Sequence, residues 1–326
     1  MNEQMLPKAN NNPSNSSDLV FPRVLRIEPA SQCNLACSHC PTGTVDMNRG
    51  LMNGETFENI ITNIKENKEF IKVIVLYHGG EPLLNKSFFS YVQRIKEING
   101  EIFIKTVSNG MALTESVADK ILNSQLDAIE FSLDGLSAEE SQHIRIKSET
   151  SKIVNNVKHL IAEKTRRGLS KPEIFVSTVQ FVRSAEKENV PVEAETPEWL
   201  LTQFGDQVSY KPCLAKMWPH MGNKHDFELL YTDGEDKDEC DHVVSTITVR
   251  ANGDVVPCCY DLTSRLVMGN VNKDSLSAIW NGSKYKILRN SISNKKFISI
   301  CSNCSTVKPS IYLLPKWKQG SKFSKI

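Results

Sequence analysis

The sequence predicts an α/β chain built on a parallel sheet. Six short apolar runs suited to strands alternate with longer runs carrying a single apolar stripe. That alternation implies right-handed crossovers between parallel strands. The first strand, 24–28, is a brief apolar run, and helix 55–69 follows with Phe57, Ile60, Ile61 and Ile64 on one side. Strand 73–77, helix 87–98, strand 102–107, helix 114–123 and strand 128–133 continue the pattern. Helix 151–167, strand 173–181, a helical piece over 197–204 and strand 208–211 complete it. Residues 213–245 carry Pro, His, Gly and an acidic cluster from Asp233 to Asp241, with little periodicity. Beyond them, 245–250 and 254–258 around Asn252-Gly253 read as a β-hairpin. A helix over 275–292 is expected to pack through Leu276, Ile279, Trp280, Tyr285 and Leu288, and Cys301-Ser302-Asn303-Cys304 closes the unit.

Four segments result: a polar lead-in over 1–22 expected to be disordered, a main domain over 23–212, a small domain over 213–310, and a basic tail over 311–326. The chain has 39 Lys+Arg against 38 Asp+Glu, a formal charge of +1, so nothing electrostatic favours nucleic acid or an acidic membrane surface. No apolar run approaches the ~20 residues of a membrane span, and the first residues lack a signal-peptide core. Nine cysteines without a secretion signal point to metal ligation in a reducing cytoplasm rather than to disulfides.

Three of those cysteines, Cys33, Cys37 and Cys40, stand in the run Cys33-Asn34-Leu35-Ala36-Cys37-Ser38-His39-Cys40. Thiolates suit iron–sulfur clusters and zinc, and this spacing lets one loop wrap three corners of a cluster. A four-iron cluster held by three cysteines keeps one iron open to a small molecule. A zinc knuckle is the alternative and needs a fourth donor nearby. Some forty residues on, strand 73–77 runs into His78-Gly79-Gly80-Glu81-Pro82, whose paired glycines allow close backbone approach to a ligand.

Together the two motifs resemble the radical S-adenosylmethionine (SAM) superfamily, with its Cys-x3-Cys-x-aromatic-Cys loop and Gly-Gly-Glu-Pro motif in this order, over most of residues 23–212. The resemblance implies a partial (β/α)6 TIM-like barrel, with ligands at the carboxyl ends of the strands. It implies a [4Fe–4S] cluster on Cys33, Cys37 and Cys40 that binds SAM through its open iron. His39 falls in the aromatic slot near the adenine, and Gly79, Gly80, Glu81 and Pro82 form the second motif. Ser108, Asn109, Ser132 and Asp134 match positions around the cofactor's sugar and amino-acid moiety. Arg145 matches a position that often clamps the methionyl carboxylate, the alternative being a surface ion pair.

The pattern from Gly253 through Cys258 to Cys301 and Cys304 is similar to the auxiliary-cluster region called a twitch domain, an abridged relative of the SPASM domain. Cys240, Cys258, Cys301 and Cys304 are its expected ligands, for one fully ligated [4Fe–4S] cluster. Cys258 and Cys259 are adjacent on a strand, so they point to opposite faces and one of them ligates; zinc fits the same four donors. Six cysteines beyond the first loop are too few for the two auxiliary clusters of a full SPASM domain. Cys213 reads as a buried structural thiol.

As implied by the family, the enzyme cleaves SAM reductively to a 5′-deoxyadenosyl radical that abstracts a substrate hydrogen, and the auxiliary cluster accepts an electron. The four-Cys auxiliary pattern resembles 2-deoxy-scyllo-inosamine dehydrogenase-type enzymes, so an oxidoreductase acting on a sugar, aminocyclitol or other small metabolite is the first expectation. Modification of a ribosomally made peptide is the second, weakened because residues 1–22 are too short and polar for a leader-peptide-binding domain. A non-catalytic metal protein is a remote third. Implied partners are a small-molecule or peptide substrate and an electron donor such as flavodoxin or ferredoxin, with no nucleic acid and no membrane. No catalytic acid or base is singled out; Arg183 and Lys211 are candidates for an anionic substrate.

Overall fold

The computed structural model describes residues 19–191, 193–222 and 224–316. Expectations for residues 1–18 and 317–326 lie outside the described residues. In chain order the first half holds β1 (Val24–Ile27), α1 (Pro41–Thr44), α2 (Gly54–Asn67), β2 (Val73–Leu76), α3 (Phe88–Ile98), β3 (Phe103–Ser108), α4 (Glu115–Asn123) and β4 (Ala128–Ser132). Then come α5 (Ala138–Ile144), α6 (Thr150–Arg166), β5 (Glu173–Gln180), α7 (Glu198–Phe204), β6 (Ser209–Leu214) and β7 (Phe227–Tyr231). The last group is α8 (His242–Ser245), β8 (Thr246–Val249), β9 (Asp254–Val256), β10 (Gly269–Asn270), α9 (Leu276–Trp280), α10 (Ser283–Ser293) and β11 (Ile311–Pro315).

These elements group into two compact units. One comprises the described residues of 1–32 with 47–104 and 233–309, and the other 33–46, 105–232 and the described residues from 310 on. In the first unit the strand order is β10-β9-β8-β1-β2. Strand β1 lies between two parallel neighbours, with Arg26 opposite Val75 of β2 and Thr248 of β8. Strands β8 and β9 form the expected antiparallel hairpin, and its Gly253 takes φ of +87°, a conformation that favours glycine. Strand β9 ends at Val256, so Cys258 and Cys259 lie in the turn after it and not on a strand. Helix α2 is capped by Asn53, whose side chain accepts from the Thr56 N–H at 2.8 Å. Its apolar stripe buries Phe57, Ile60, Ile61 and Ile64, and Phe57 stacks on Tyr91 of α3 at 3.7 Å.

The helix expected over 275–292 is two helices. Asn281 ends α9 and Gly282 caps the start of α10. The carbonyl of Trp280 at the break is satisfied by Arg289 Nη1 at 2.9 Å, and the Arg289 guanidinium lies 4.1 Å over the Trp280 ring. Residues at the start of the described chain join this unit: Val20 accepts from the Trp280 indole at 3.1 Å, and Leu19 and Asn281 exchange two hydrogen bonds.

In the second unit β3, β4, β5 and β6 are parallel neighbours in that order. Strands β7 and β11 form an antiparallel pair, neither of which the sequence reading contains. Strand β7 falls in the stretch read as aperiodic, and β11 in the tail. Each has five residues, and each finds its partner some eighty positions away, beyond the reach of a local pattern. Leu313 and Phe227 from this pair pack with Ile144, Phe181, Ala215 and Met221 into one core cluster.

Candidate functional site

The three-cysteine loop belongs to the second unit, and its backbone is held from outside. Ala36 donates to the Ile146 carbonyl and Ser38 to that of Ile144, both at 3.0 Å. Gly43, just beyond the loop, lies so close to it that a Cβ there would meet the backbone of Ala36 and Cys37 at 2.6–2.8 Å. Side chains from the ends of β3 and β4 and from the C-terminal end of α5 gather beside the loop. Asn109 donates to Asn34 Oδ1 at 2.8 Å and lies 3.7 Å from the Cys33 sulfur. Arg145 pairs with Asp134 at 2.7 Å, and His39 Nε2 lies 3.7 Å from the same carboxylate oxygen. The surface ion pair considered for Arg145 is therefore a buried one, with only 9% and 1% of the two side chains exposed. The second Asp134 oxygen accepts from the Val179 N–H at 3.0 Å.

Burial sets the electrostatics of this group. It pushes the Cys37 thiol up to about 12 against the opposing pull of Arg145. It also pushes the His39 imidazole down, with Asp134 opposing, and His39 lies edge-on to Phe181 at 5.9 Å. Arg145 is held above its usual range despite burial, because Cys37 and Asp134 favour its charge. Ser108 accepts from the Gly110 N–H at 3.1 Å, and Ser132 lies 3.5 Å from the Ser177 hydroxyl. Arg183 and Lys211 are both in ion pairs, with Glu140 at 2.9 Å and Glu130 at 3.0 Å. Cys213, expected to be buried, is exposed on β6, the last strand of its sheet.

Gly79, Gly80, Glu81 and Pro82 belong to the first unit. A Cβ on Gly80 would lie 2.3 Å from the carbonyl oxygens of Ala30 and Gln32, so only glycine fits under the segment leading to Cys33. Glu81 donates its N–H to the Gln32 carbonyl at 2.8 Å, and its side chain accepts from the Leu83 N–H at 3.1 Å. Glu28, which the sequence reading missed, supports this turn. It is fully buried and accepts from the Gly79 N–H at 2.9 Å, from the Ala251 N–H at 3.0 Å and from Arg250 Nε at 3.1 Å. The charges Arg26 and Glu28, two apart in a short apolar strand, could have flagged it, since one face of β1 must then be polar.

Burial alone would raise the Glu28 carboxyl, but Arg250, His78 and the Ala251 N–H together hold it below its usual 4.5. Its contribution is therefore present above that value and lost as the pH falls through the depressed one. Glu28→Gln is expected to destabilise the protein by about 3–5 kcal/mol at neutral pH, as loss of one partner from a buried pair does. Urea unfolding of both proteins checks this, and the difference should shrink toward acid. An unchanged gap at low pH would assign the loss to packing.

The auxiliary cysteines also lie in the first unit. Cys240, Cys258, Cys301 and Cys304 line one cavity, together with His242, Tyr260, Thr306 and apolar side chains. Cys259 is not in its lining; its sulfur lies 3.8 Å from His242 Nε2. Burial pushes Cys258 and Cys301 up, the latter to about 12. Four soft donors lining one cavity suit a metal group, whose binding deprotonates them. Among the described residues no three His, Cys, Asp or Glu side chains converge on a single-ion site. Thiolates at separate corners of a cluster have no need to converge, so the donor set fits an iron–sulfur cluster.

A family model described as the radical SAM superfamily matches residues 27–176, and one described as an iron–sulfur cluster-binding domain, SPASM, matches residues 240–305. The chain is 24% identical over 316 residues to the tungsten-containing aldehyde ferredoxin oxidoreductase cofactor-modifying protein of Pyrococcus furiosus, covering 87% of each chain. Among solved structures it resembles BtrN in complex with AdoMet and 2-DOIA, with a TM-score of 0.54 at 18% identity over 88% of this chain and 92% of that one. It also resembles Streptococcus suis SuiB bound to S-adenosylmethionine, with a TM-score of 0.58 at 16% identity over 83% of this chain and 68% of that one. The fold agrees with a partial TIM-like core and a small C-terminal domain, as the sequence predicts.

Proposed function

From a chain that carries a radical SAM domain and an iron–sulfur cluster-binding SPASM domain, we propose an enzyme that oxidises a hydroxylated small metabolite such as a sugar or aminocyclitol. The two domains imply a SAM-binding [4Fe–4S] cluster and an auxiliary cluster. In this reading Cys33, Cys37 and Cys40 hold the first, and Cys240, Cys258, Cys301 and Cys304 the second. When bound, the first cluster and SAM supply a radical able to take a hydrogen atom from an unactivated C–H bond, and the second cluster supplies an electron acceptor.

The chain's own residues hold and orient these groups. Asn109 lies against the Cys33 sulfur, and the buried Arg145–Asp134 pair fixes a positive charge beside Cys37. His39, Gly79, Gly80, Glu81, Pro82, Ser108, Asn109, Ser132, Asp134 and Arg145 are the proposed surroundings of SAM. Arg145 keeps a buried Nε with no hydrogen-bond partner, which leaves it a donor beyond the Asp134 pair.

The observation that carries the reading is the cavity lined by four cysteines. Four protein ligands leave no open corner, so a cluster there has electron transfer as its role. An alcohol that loses a hydrogen atom, a proton and an electron becomes a carbonyl, and the electron then has a place to go. A reduced flavodoxin or ferredoxin is the proposed donor to the first cluster. A second reading, modification of a ribosomally made peptide, draws on the likeness to SuiB, one structure of which is bound to precursor peptide SuiA. To separate the two, the anaerobically reconstituted protein is given SAM, dithionite and either aminocyclitols and sugars or peptides. Formation of 5′-deoxyadenosine should rise with a hydroxylated small molecule, together with one carbonyl product. A rise with peptides alone would replace this reading by the second.

A further inference from the structure

The turn from β4 into α5 carries Asp134, and three elements hold its main chain. Strand β5 accepts the Gly135 N–H on the Val179 carbonyl at 2.9 Å and donates the Val179 N–H to Asp134 Oδ1 at 3.0 Å. The Gly135 carbonyl accepts from the Trp199 indole of α7 at 3.2 Å and from the Thr178 hydroxyl at 3.4 Å. Glu140 of α5 is fully buried and accepts from the Leu136 N–H at 2.9 Å. Its stem lies against the turn, since a Cβ on Gly135, which takes φ of +81°, would meet Glu140 Cγ at 2.8 Å. The same Glu140 oxygen accepts from Nη2 of Arg183, just beyond β5, at 2.9 Å. Arg183 is fixed in turn, donating its own N–H to Glu186 at 2.8 Å.

Glu140 stands between the two members of the Asp134–Arg145 pair. Asp134 is on the turn that Glu140 holds, and Arg145 is the C-cap of the helix to which Glu140 belongs. The two are eleven positions apart, and the span between them is tied across its middle. A carboxylate buried this deeply is costly to leave without its cation, so the Glu140–Arg183 contact has one stable arrangement. A linked chain of buried polar contacts passes that rigidity to the turn. Side chains that meet a ligand keep their geometry only when a layer behind them is locked in this way.

We propose that Glu140 is a positioning residue for SAM binding: joined to Arg183, it holds the turn that carries Asp134 and so keeps the Asp134–Arg145 pair in place to receive SAM. Glu140 itself touches no part of SAM, and Arg183 serves Glu140 rather than an anionic substrate. The inference rests on the reading above that Asp134 and Arg145 surround SAM.

The test is equilibrium dialysis of radiolabelled SAM against the full-length, anaerobically reconstituted protein, with iron content measured for each variant. Glu140→Gln keeps the size of the side chain and loses its charge. It should bind SAM about tenfold more weakly at unchanged iron content. Arg183→Met should do the same, and Arg183→Lys, which keeps a cation against Glu140, should return most of the affinity. A double-mutant cycle with Arg145→Met separates positioning from a general loss of stability. If Glu140 acts through the pair, Glu140→Gln should cost nothing further in a protein that already carries Arg145→Met. An equal loss in both backgrounds, or parent affinity in Glu140→Gln with full iron, would overturn the proposal. Should Glu140→Gln fail to fold, the Arg183 variants decide in its place, and parent affinity in Arg183→Met with full iron overturns the proposal as well. Parent affinity in Arg145→Met alone would instead remove the reading beneath it.

Discussion

Replacing Cys33, Cys37 and Cys40 by Ala is expected to reduce the anaerobically reconstituted protein from about eight irons to about four and to abolish SAM cleavage. The loop is the sole source of protein ligands proposed for the first cluster, and its backbone is fixed by Ile144 and Ile146. Since those contacts are main-chain bonds that no Cys side chain makes, the fold around the loop should survive. Iron and sulfide analysis with 5′-deoxyadenosine assay checks both halves of the expectation. Cleavage at the parent rate in the triple variant would place the cofactor elsewhere. Stoichiometric zinc without sulfide in the parent would end the cluster reading altogether.

The opposite experiment should have the opposite signature. With Cys301→Ala and Cys304→Ala together, SAM cleavage should persist at a reduced level, while carbonyl product disappears. Both residues line the four-cysteine cavity, and Cys304 also accepts from the Lys308 N–H through its carbonyl, which the substitution leaves in place. Circular dichroism and iron content on the same variant separate loss of the acceptor from unfolding of a metal-stapled segment. A folded four-iron variant that still forms product would make the second cluster structural, and the dehydrogenase reading would fall with it.

What the sequence made legible was whatever is local. Periodicity located β1 to β6 and α2, α3, α4, α6 and α7 to within a few residues, because each apolar run and its neighbours carry that information themselves, while the short α1 and α5 went unread. The cysteine spacing and Gly-Gly-Glu-Pro likewise declare their chemistry in eight and four residues. The hidden parts depend on partners distant in sequence. Strand β7 is defined by β11, and Glu28 by Arg250. The break at Asn281-Gly282 is a local turn signal that the continuing apolar spacing overrode, and it is held by Arg289 reaching back to Trp280. Choosing between Cys258 and Cys259 needed the direction of two adjacent side chains, and the cavity takes Cys258.

Strand β1 lies at the start of the chain's described part, yet one of its two neighbours is β8, more than two hundred residues later. The two matched families thus meet inside one sheet, and the boundary between them in sequence is not a seam in folding. A fragment ending before residue 240 would expose the edge of β1 and strand the Glu28 carboxylate in an apolar place without Arg250. Shuffling of the C-terminal piece onto other cores, whether by recombination or by design, therefore has to carry a matched β1 with it. The heritable module is larger than either family match alone.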